Sequence, residues 1–464
     1  MKKKLFLLLS LLGIFTFASC QNDNSIPGGG NVQSSSQQSS SDPLPDSEAV
    51  INGTINYTGF YEDNLRYDFT YKDEYFKNSA VELNQALAKL SLCNALTGTN
   101  SKPEGDYDLT YSYVENFYKR CGFSRFDVSS GYLRKPTKES IGFFVGKKEL
   151  VFNNKKYTVL GITVRGFKYE AEWASNFNLG GVDNHEGFDK ASKSIMDSIS
   201  GYISSLKNER DVKVWITGYS RGGAVAGLTA TKLIKRNLIS EDNLYCYTFE
   251  APASLEAVDK TEYKSIHNYV NPNDIVPKII HPIIGIIRPG IDIDYTNGKN
   301  IDDVKAKLAE ISQKVVFAEV KGDEKLPEFL DNTMKTLYTS IFYHRGFYVS
   351  DCQETAMYIS EFILGLPKAK RTQLFDYFKS LSFLQLVSLL SVESGKALFK
   401  TAFETCQIEY DEATFNTHYE KLLNLVVNKV IPAIGGVALT NVYNNISVIA
   451  QNHFAEITLA YMMA

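Results

Sequence analysis

The chain has 464 residues, 44% hydrophobic and 22% charged, a balance that suits a globular protein with a sizeable core. Its 49 lysines and arginines against 53 acidic residues leave a net charge of −4. That charge gives no electrostatic ground for binding nucleic acid or an anionic surface, and no nucleic-acid motif is present.

Lys2, Lys3 and Lys4 precede an apolar run from Leu5 to Phe17, and Ala18-Ser19-Cys20 follow. A charged head, a short apolar core and small residues describe a secretory signal, and the core is too short to span a bilayer. A cysteine directly after those small residues resembles the bacterial lipoprotein lipobox, with Phe17 where leucine is usual. The resemblance implies a signal peptide over residues 1–20, lipidation at Cys20 and anchoring in a bacterial cell envelope. Residues 21–46, with Gly28 to Gly30, a Ser/Gln run from Ser34 to Ser41 and Pro43 and Pro45, cannot bury enough apolar surface to fold. They read as a tether reaching about 30 Å as a flexible coil. Cys93, Cys121, Cys246, Cys352 and Cys406 are irregularly spaced and suggest no disulfide framework or metal cluster. Cys246 reads as a buried thiol in a strand, and a Cys93–Cys121 pair stays open.

From Val50 to Tyr71 the pattern is aromatic and only partly alternating. A helix is expected from Ser79, where Ser79-Ala80-Val81-Glu82 has capping-box spacing, to Gly98. A second is expected near Tyr111 to Lys119, closing at Gly122. Ile141 to Val145 and Tyr157 to Val164 read as strands, the latter apolar enough to be buried on both faces. A helix follows with Phe188, Ala191, Ile195, Ile199, Ile203 and Leu206 on one face. The run Val212 to Ile216 ends in Gly218-Tyr219-Ser220-Arg221-Gly222-Gly223, and a small-residue helix follows to about Asn237. This is the strand–turn–helix setting in which Gly-x-Ser-x-Gly exposes a serine above the C-terminal edge of a parallel sheet. A Cβ at Gly218 or Gly222 would collide with the neighbouring strand or helix. Leu244 to Phe249 and Ile266 to Val270 complete an alternation that implies an α/β, doubly wound, mostly parallel sheet with helices on both faces.

Several ordered motifs resemble the class 3 (fungal-type) lipase family over about residues 141–280. They are the Arg165-Gly166 turn with Trp173, His185-Glu186-Gly187-Phe188, the Ser220 turn, Thr248-Phe249-Glu250-Ala251-Pro252, and Asn271-Pro272-Asn273-Asp274-Ile275-Val276-Pro277. Phe167 stands where that family usually has Thr or Ser, Arg221 where it has Leu or a similar residue, and Glu250 where it has Gly. The resemblance implies an α/β-hydrolase domain over 47–464. It also implies a lid over Lys168 to Phe177, with a fixed packed turn as the alternative reading, and an oxyanion hole from the main-chain N–H groups of Phe167 and Arg221. Arg221's side chain is open to pairing with an acid such as Glu250 or to facing solvent.

Serine needs a histidine base, and the base needs an acid to orient it. Ser220 is the expected nucleophile. Asp274, beyond a predicted strand and in the family's Asp-Ile-Val-Pro setting, is the expected acid, with an Asx-turn as the alternative reading of that run. Of six histidines, His185, His267, His281 and His418 have structural readings. His453, opening a helix over Phe454 to Met463, is the preferred base, and His344 is the alternative. Helical patterns fill about residues 290–435: Val304 to Val320, Leu326 to Phe342, Ser350 to Gly365, Thr372 to Leu390, Ala397 to Cys406 and Phe415 to Val430. An insertion between acid and base reads as a cap over the active-site edge. Asp292 and Asp294 are too isolated for a metal site, and no cofactor motif is present. The expectation is an exported, anchored hydrolase of carboxylic esters, acylglycerols or lipid esters foremost. The alternatives are hydrolysis of a thioester, a polysaccharide acetyl ester or a peptide, or an inactive binding protein on the same fold.

Overall fold

A computed structural model describes residues 44–464 apart from 61, 63, 100–102, 105–106, 109–110, 130–131, 133–140, 167–174, 181–182, 208–210, 260, 322–324, 341–353 and scattered positions between 356 and 447. Cys20, the signal peptide and nearly all of the tether expected from the sequence lie outside these residues. So do Phe167, Trp173 and His344.

The aromatic stretch left undecided by its pattern is an antiparallel hairpin of β1 (Val50–Tyr57) and β2 (Leu65–Lys72), paired from Val50↔Lys72 to Tyr57↔Leu65. Seven further strands form one sheet: β3 (Ser124–Val128), β4 (Phe143–Phe152), β5 (Lys155–Val164), β6 (Asp211–Tyr219), β7 (Leu244–Phe249), β8 (Ile266–Val270) and β9 (Ile291–Asp294). Their order is β9-β8-β7-β6-β5-β4-β3. Pairing is antiparallel from β3 to β5 and parallel from β5 to β9. The doubly wound, mostly parallel α/β sheet expected from the sequence is therefore the one observed, with an antiparallel edge. Strand β9 had no apolar run to announce it. It is an edge strand with Ile291 exposed, and Asp292 is paired with Arg288 and with Asn268 Nδ2.

Helices cover both faces. On one lie α1 (Gln85–Thr97) and α2 (Tyr111–Arg120) beside the hairpin, and their core surrounds the fully buried Trp215. Its indole N–H donates to Ser91 Oγ at 2.8 Å, so the one polar atom of a large apolar side chain is satisfied. On the other face lie α3 (Glu186–Lys207) and α4 (Arg221–Lys235), packing Ile195, Ile199 and Val225 against Leu160, Val214 and Ile216. The start of α1 differs from the expectation. Asn84 caps it, accepting from Leu87 N–H at 3.0 Å, while Ser79 bonds Asp242 across the fold and shapes a preceding turn. Cys93 and Cys121 are both free and buried, which closes the question of a bridge between them, and Cys246 is a buried thiol as expected.

The region expected to be one cap is divided. Helix α5 (Ile301–Ile311) joins the main core through Val304 and Leu308. Helix α6 (Leu326–Ser340) packs Leu330, Met334 and Leu337 on Ile275, next to Asp274. Helices α7 (Val392–Thr405) and α8 (Glu412–Leu425) build a separate aromatic cluster with Phe399, Phe403 and Phe415. The chain returns to the sheet in α9 (Ala455–Met463), whose Ile457 and Leu459 belong to the main core.

Candidate active site

Ser220 follows β6 and precedes α4, with φ +54° and ψ −126°. A non-glycine residue adopts that conformation at a cost of about 1–3 kcal/mol, and only where its surroundings impose it. Two glycines do so. A Cβ on Gly218 would stand 2.3 Å from the Gly222 carbonyl oxygen, and one on Gly222 would stand 2.6 Å from that of Val164. Strand and helix thus cross at backbone contact, and the turn between them holds the serine hydroxyl out at the strand's C-terminal end.

Asp274 follows β8 at the same edge and is fully buried. Its Oδ1 accepts the Val276 N–H at 2.9 Å, which is the Asx-turn, while Oδ2 lies 2.6 Å from His453 Nδ1. One oxygen is thus engaged in the turn and the other faces the imidazole. His453, 8% exposed, has Nε2 2.9 Å from Ser220 Oγ. With Nδ1–H donating to Asp274, Nε2 is left as an acceptor facing the serine hydroxyl, the tautomer a general base requires.

Residues that the sequence did not single out hold this arrangement. Tyr219 OH donates to the His453 carbonyl at 3.2 Å and meets Thr458 Oγ1 at 2.9 Å. Asn271, fully buried, donates through Nδ2 to Asn452 Oδ1 at 2.7 Å, tying the loop of the acid to the residue before the histidine. Both flank motifs that were legible, but nothing in their spacing marks a partner some 180 or more positions away. The Phe60 ring stacks on Phe454 at 3.9 Å, and Phe60 N–H donates to Glu456 at 2.8 Å, so the hairpin tip grips the start of α9.

The four other described histidines have structural environments. His185 stacks on Phe188 at 3.8 Å, His267 Nε2 meets the Ala80 carbonyl, His281 caps a short turn at Ile283, and His418 stacks on Tyr358. The Arg221 guanidinium reaches Ser175 Oγ at 3.0 Å rather than Glu250, which corrects the pairing left open above. Arg221 opens α4, so its main-chain N–H belongs to the first-turn donors at a positive helix end. Among the described residues no group of three or more His, Cys, Asp or Glu could hold a metal ion.

The sheet order and the serine turn define an α/β-hydrolase fold with a hydrogen-bonded Ser–His–Asp arrangement at the C-terminal edge of its parallel strands. Residues 159–283 match the family described as Lipase (class 3). Solved structures with a similar fold include a fungal lipase–inhibitor complex (23% identity, TM-score 0.27, covering 32% of this chain and 60% of that one). Others are the Rhizomucor miehei lipase–propeptide complex (18%, 0.32, 44% and 66%) and the lipase of Rhizopus microsporus var. chinensis (17%, 0.28, 44% and 70%). The chain thus spans less than two thirds of the first two of these. No curated protein matches the chain.

Proposed function

We propose that this protein is a serine hydrolase of carboxylic esters, acylglycerol or other lipid esters foremost, exported and anchored at Cys20 in a bacterial cell envelope. The observation that carries the reaction is the unbroken chain Ser220 Oγ–His453–Asp274 at 2.9 and 2.6 Å. In this reading Ser220 Oγ attacks the acyl carbonyl as His453 Nε2 takes its proton, and Asp274 stabilises the imidazolium. The main-chain N–H groups of Arg221 and Phe167 receive the developing oxyanion. His453 then returns the proton to the leaving alcohol. Water, activated in its turn by the imidazole, releases the acid from the acyl-enzyme. The lipid class of substrate is supported by the family match over residues 159–283, and the anchor by the lipobox-like run ending in Cys20.

A fluorophosphonate probe tests the reaction. The expected result is labelling at Ser220 that is lost in Ser220→Ala, with hydrolysis of short- and long-chain aryl esters lost in parallel. A chain that takes no label is a binding protein on the same fold. Preference for thioesters, acetylated polysaccharide or peptides would replace the lipid substrate while leaving the mechanism. For the anchor, palmitate incorporation and membrane partitioning should both vanish in Cys20→Ala.

A further inference from the structure

Glu250 directly follows β7, and the reaction as written gives it no part. It is fully buried, and its φ is +49°, a region that favours glycine. A carboxyl kept at a strained, buried position needs partners, and this one has them. The Asn271 main-chain N–H donates to Oε2 at 3.1 Å and to Oε1 at 3.2 Å, and Tyr295 OH donates to Oε1. Its side chain is also in hydrogen-bonding contact with that of Asp274. Two fully buried carboxyls in contact do not both ionise, and a proton between them converts repulsion into a hydrogen bond.

The surroundings decide which acid holds that proton. Asp274 faces the His453 Nδ1–H and the Val276 N–H, and the charge of Lys278, on the turn that follows, also bears on it. Glu250 faces the phenols of Tyr295 and Tyr219, beyond which lies Glu456 on α9. The imidazole N–H and the one cation, Lys278, are on Asp274's side, so Asp274 is the better seat for the negative charge. We propose that Glu250 is a positioning residue for the acid: it carries a proton and donates it to Asp274, so that a single negative charge is held across the two carboxyls behind His453. Burial first, and the charge of Asp274 second, push the Glu250 carboxyl well above the usual range, in the same direction. One charge rather than two then stands behind the imidazole. The bond also restricts the rotation of the carboxylate that orients the imidazole. The proposal rests on the reading of Ser220, His453 and Asp274 as a triad.

The test compares the full chain with Glu250→Gln and Glu250→Gly. Glutamine offers an N–H to Asp274 without a titrating proton, and glycine accepts the positive φ while removing the donor. For an aryl ester, the acid limb of kcat/KM in Glu250→Gln should stay within about 0.3 pH unit of the parent, with kcat/KM within about tenfold. Glu250→Gly should lose more than about tenfold, in kcat rather than KM. If Glu250 is instead ionised at neutral pH, glutamine removes a negative charge close to His453 and the acid limb moves down by about one unit. That shift overturns the proposal. A second measurement is independent of hydrolysis. At about pH 9, above the range near 7 in which Glu456 titrates, the parent should retain an infrared band of a protonated carboxyl that both variants lack. Absence of that band in the parent also overturns the proposal. Should the parent hydrolyse no ester, the triad reading fails by itself and the infrared comparison still decides the state of Glu250.

Discussion

Ser220 shows how few atoms hold the candidate site. Its strained backbone persists because Gly218 and Gly222 let strand and helix meet at distances no side chain tolerates. In Gly222→Ala the new methyl would press on the carbonyls of Val164 and Arg165, which are backbone and cannot turn away. A loss of about 1–3 kcal/mol in unfolding free energy is expected in urea titration, accompanied by slower probe labelling at Ser220. The two candidate bases separate sharply. His453→Ala should lower kcat by about 10⁴-fold or more, and His344→Ala should leave it within about threefold. The opposite ranking would move the base to His344. These residues were legible because glycine, serine and the Asp-Ile-Val-Pro run sit at fixed offsets from apolar strands. Glu250, Asn271 and Tyr219 were not, because their roles depend on partners brought together by the fold. Glu250 stood out in the sequence only as a departure from the usual glycine, and its φ of +49° explains why glycine serves there.

Among the elements, α9 carries a pH signature that can be read as stability. Glu456 in its first turn is fully buried and accepts the Phe60 N–H through Oε1, while Oε2 has no hydrogen bond. Burial pushes its carboxyl up to about 7 from an ordinary 4.5. Below about 4.5 both folded and unfolded chains hold this proton, and the group costs nothing. Between there and about 7 the unfolded chain ionises while the folded one does not, so stability falls as pH rises. Above that range the loss levels off at about 3 kcal/mol. Glu456→Gln should remove this slope and raise the urea midpoint most at about pH 8, whereas an unchanged slope would show that the fall has another source. The elements legible in the sequence were those with one dominant period: β5 to β8, α3 and α4. The start of α1 was misplaced because Ser79 answers to Asp242, 163 residues away, rather than to its own helix. The β1–β2 hairpin was undecided because adjacent Val50 and Ile51, and Gly53 on the inner face, blur the apolar/polar alternation of β1, although burial alternates along both folded strands.

The whole molecule contains more than one core. The sheet and its two helical layers form the larger part, while Phe399, Phe403, Phe415 and Tyr419 of α7 and α8 pack mainly on one another. Removing the fully buried Phe403 should cost about 3–5 kcal/mol, and that loss should be felt locally. In Phe403→Ala, amide exchange is expected to quicken across α7 and α8 while β5 to β8 stay protected and Ser220 still takes the probe. Uniform loss of protection would instead show a single cooperative unit. Fold class was readable at this scale because strand–helix alternation has few solutions. The division of the helical region was not, because helical periodicity does not say which neighbour a face will meet.

The imidazole is 233 positions from the serine and 179 from the acid along the chain. Closing loops of that size is slow compared with pairing adjacent strands. A newly emerging or refolding chain therefore assembles its bent serine well before anything stands ready to deprotonate it. In the proposed reaction the serine can act only once the segment around His453 has docked on Tyr219 and Asn271, so turnover would report that this late stage of folding is complete.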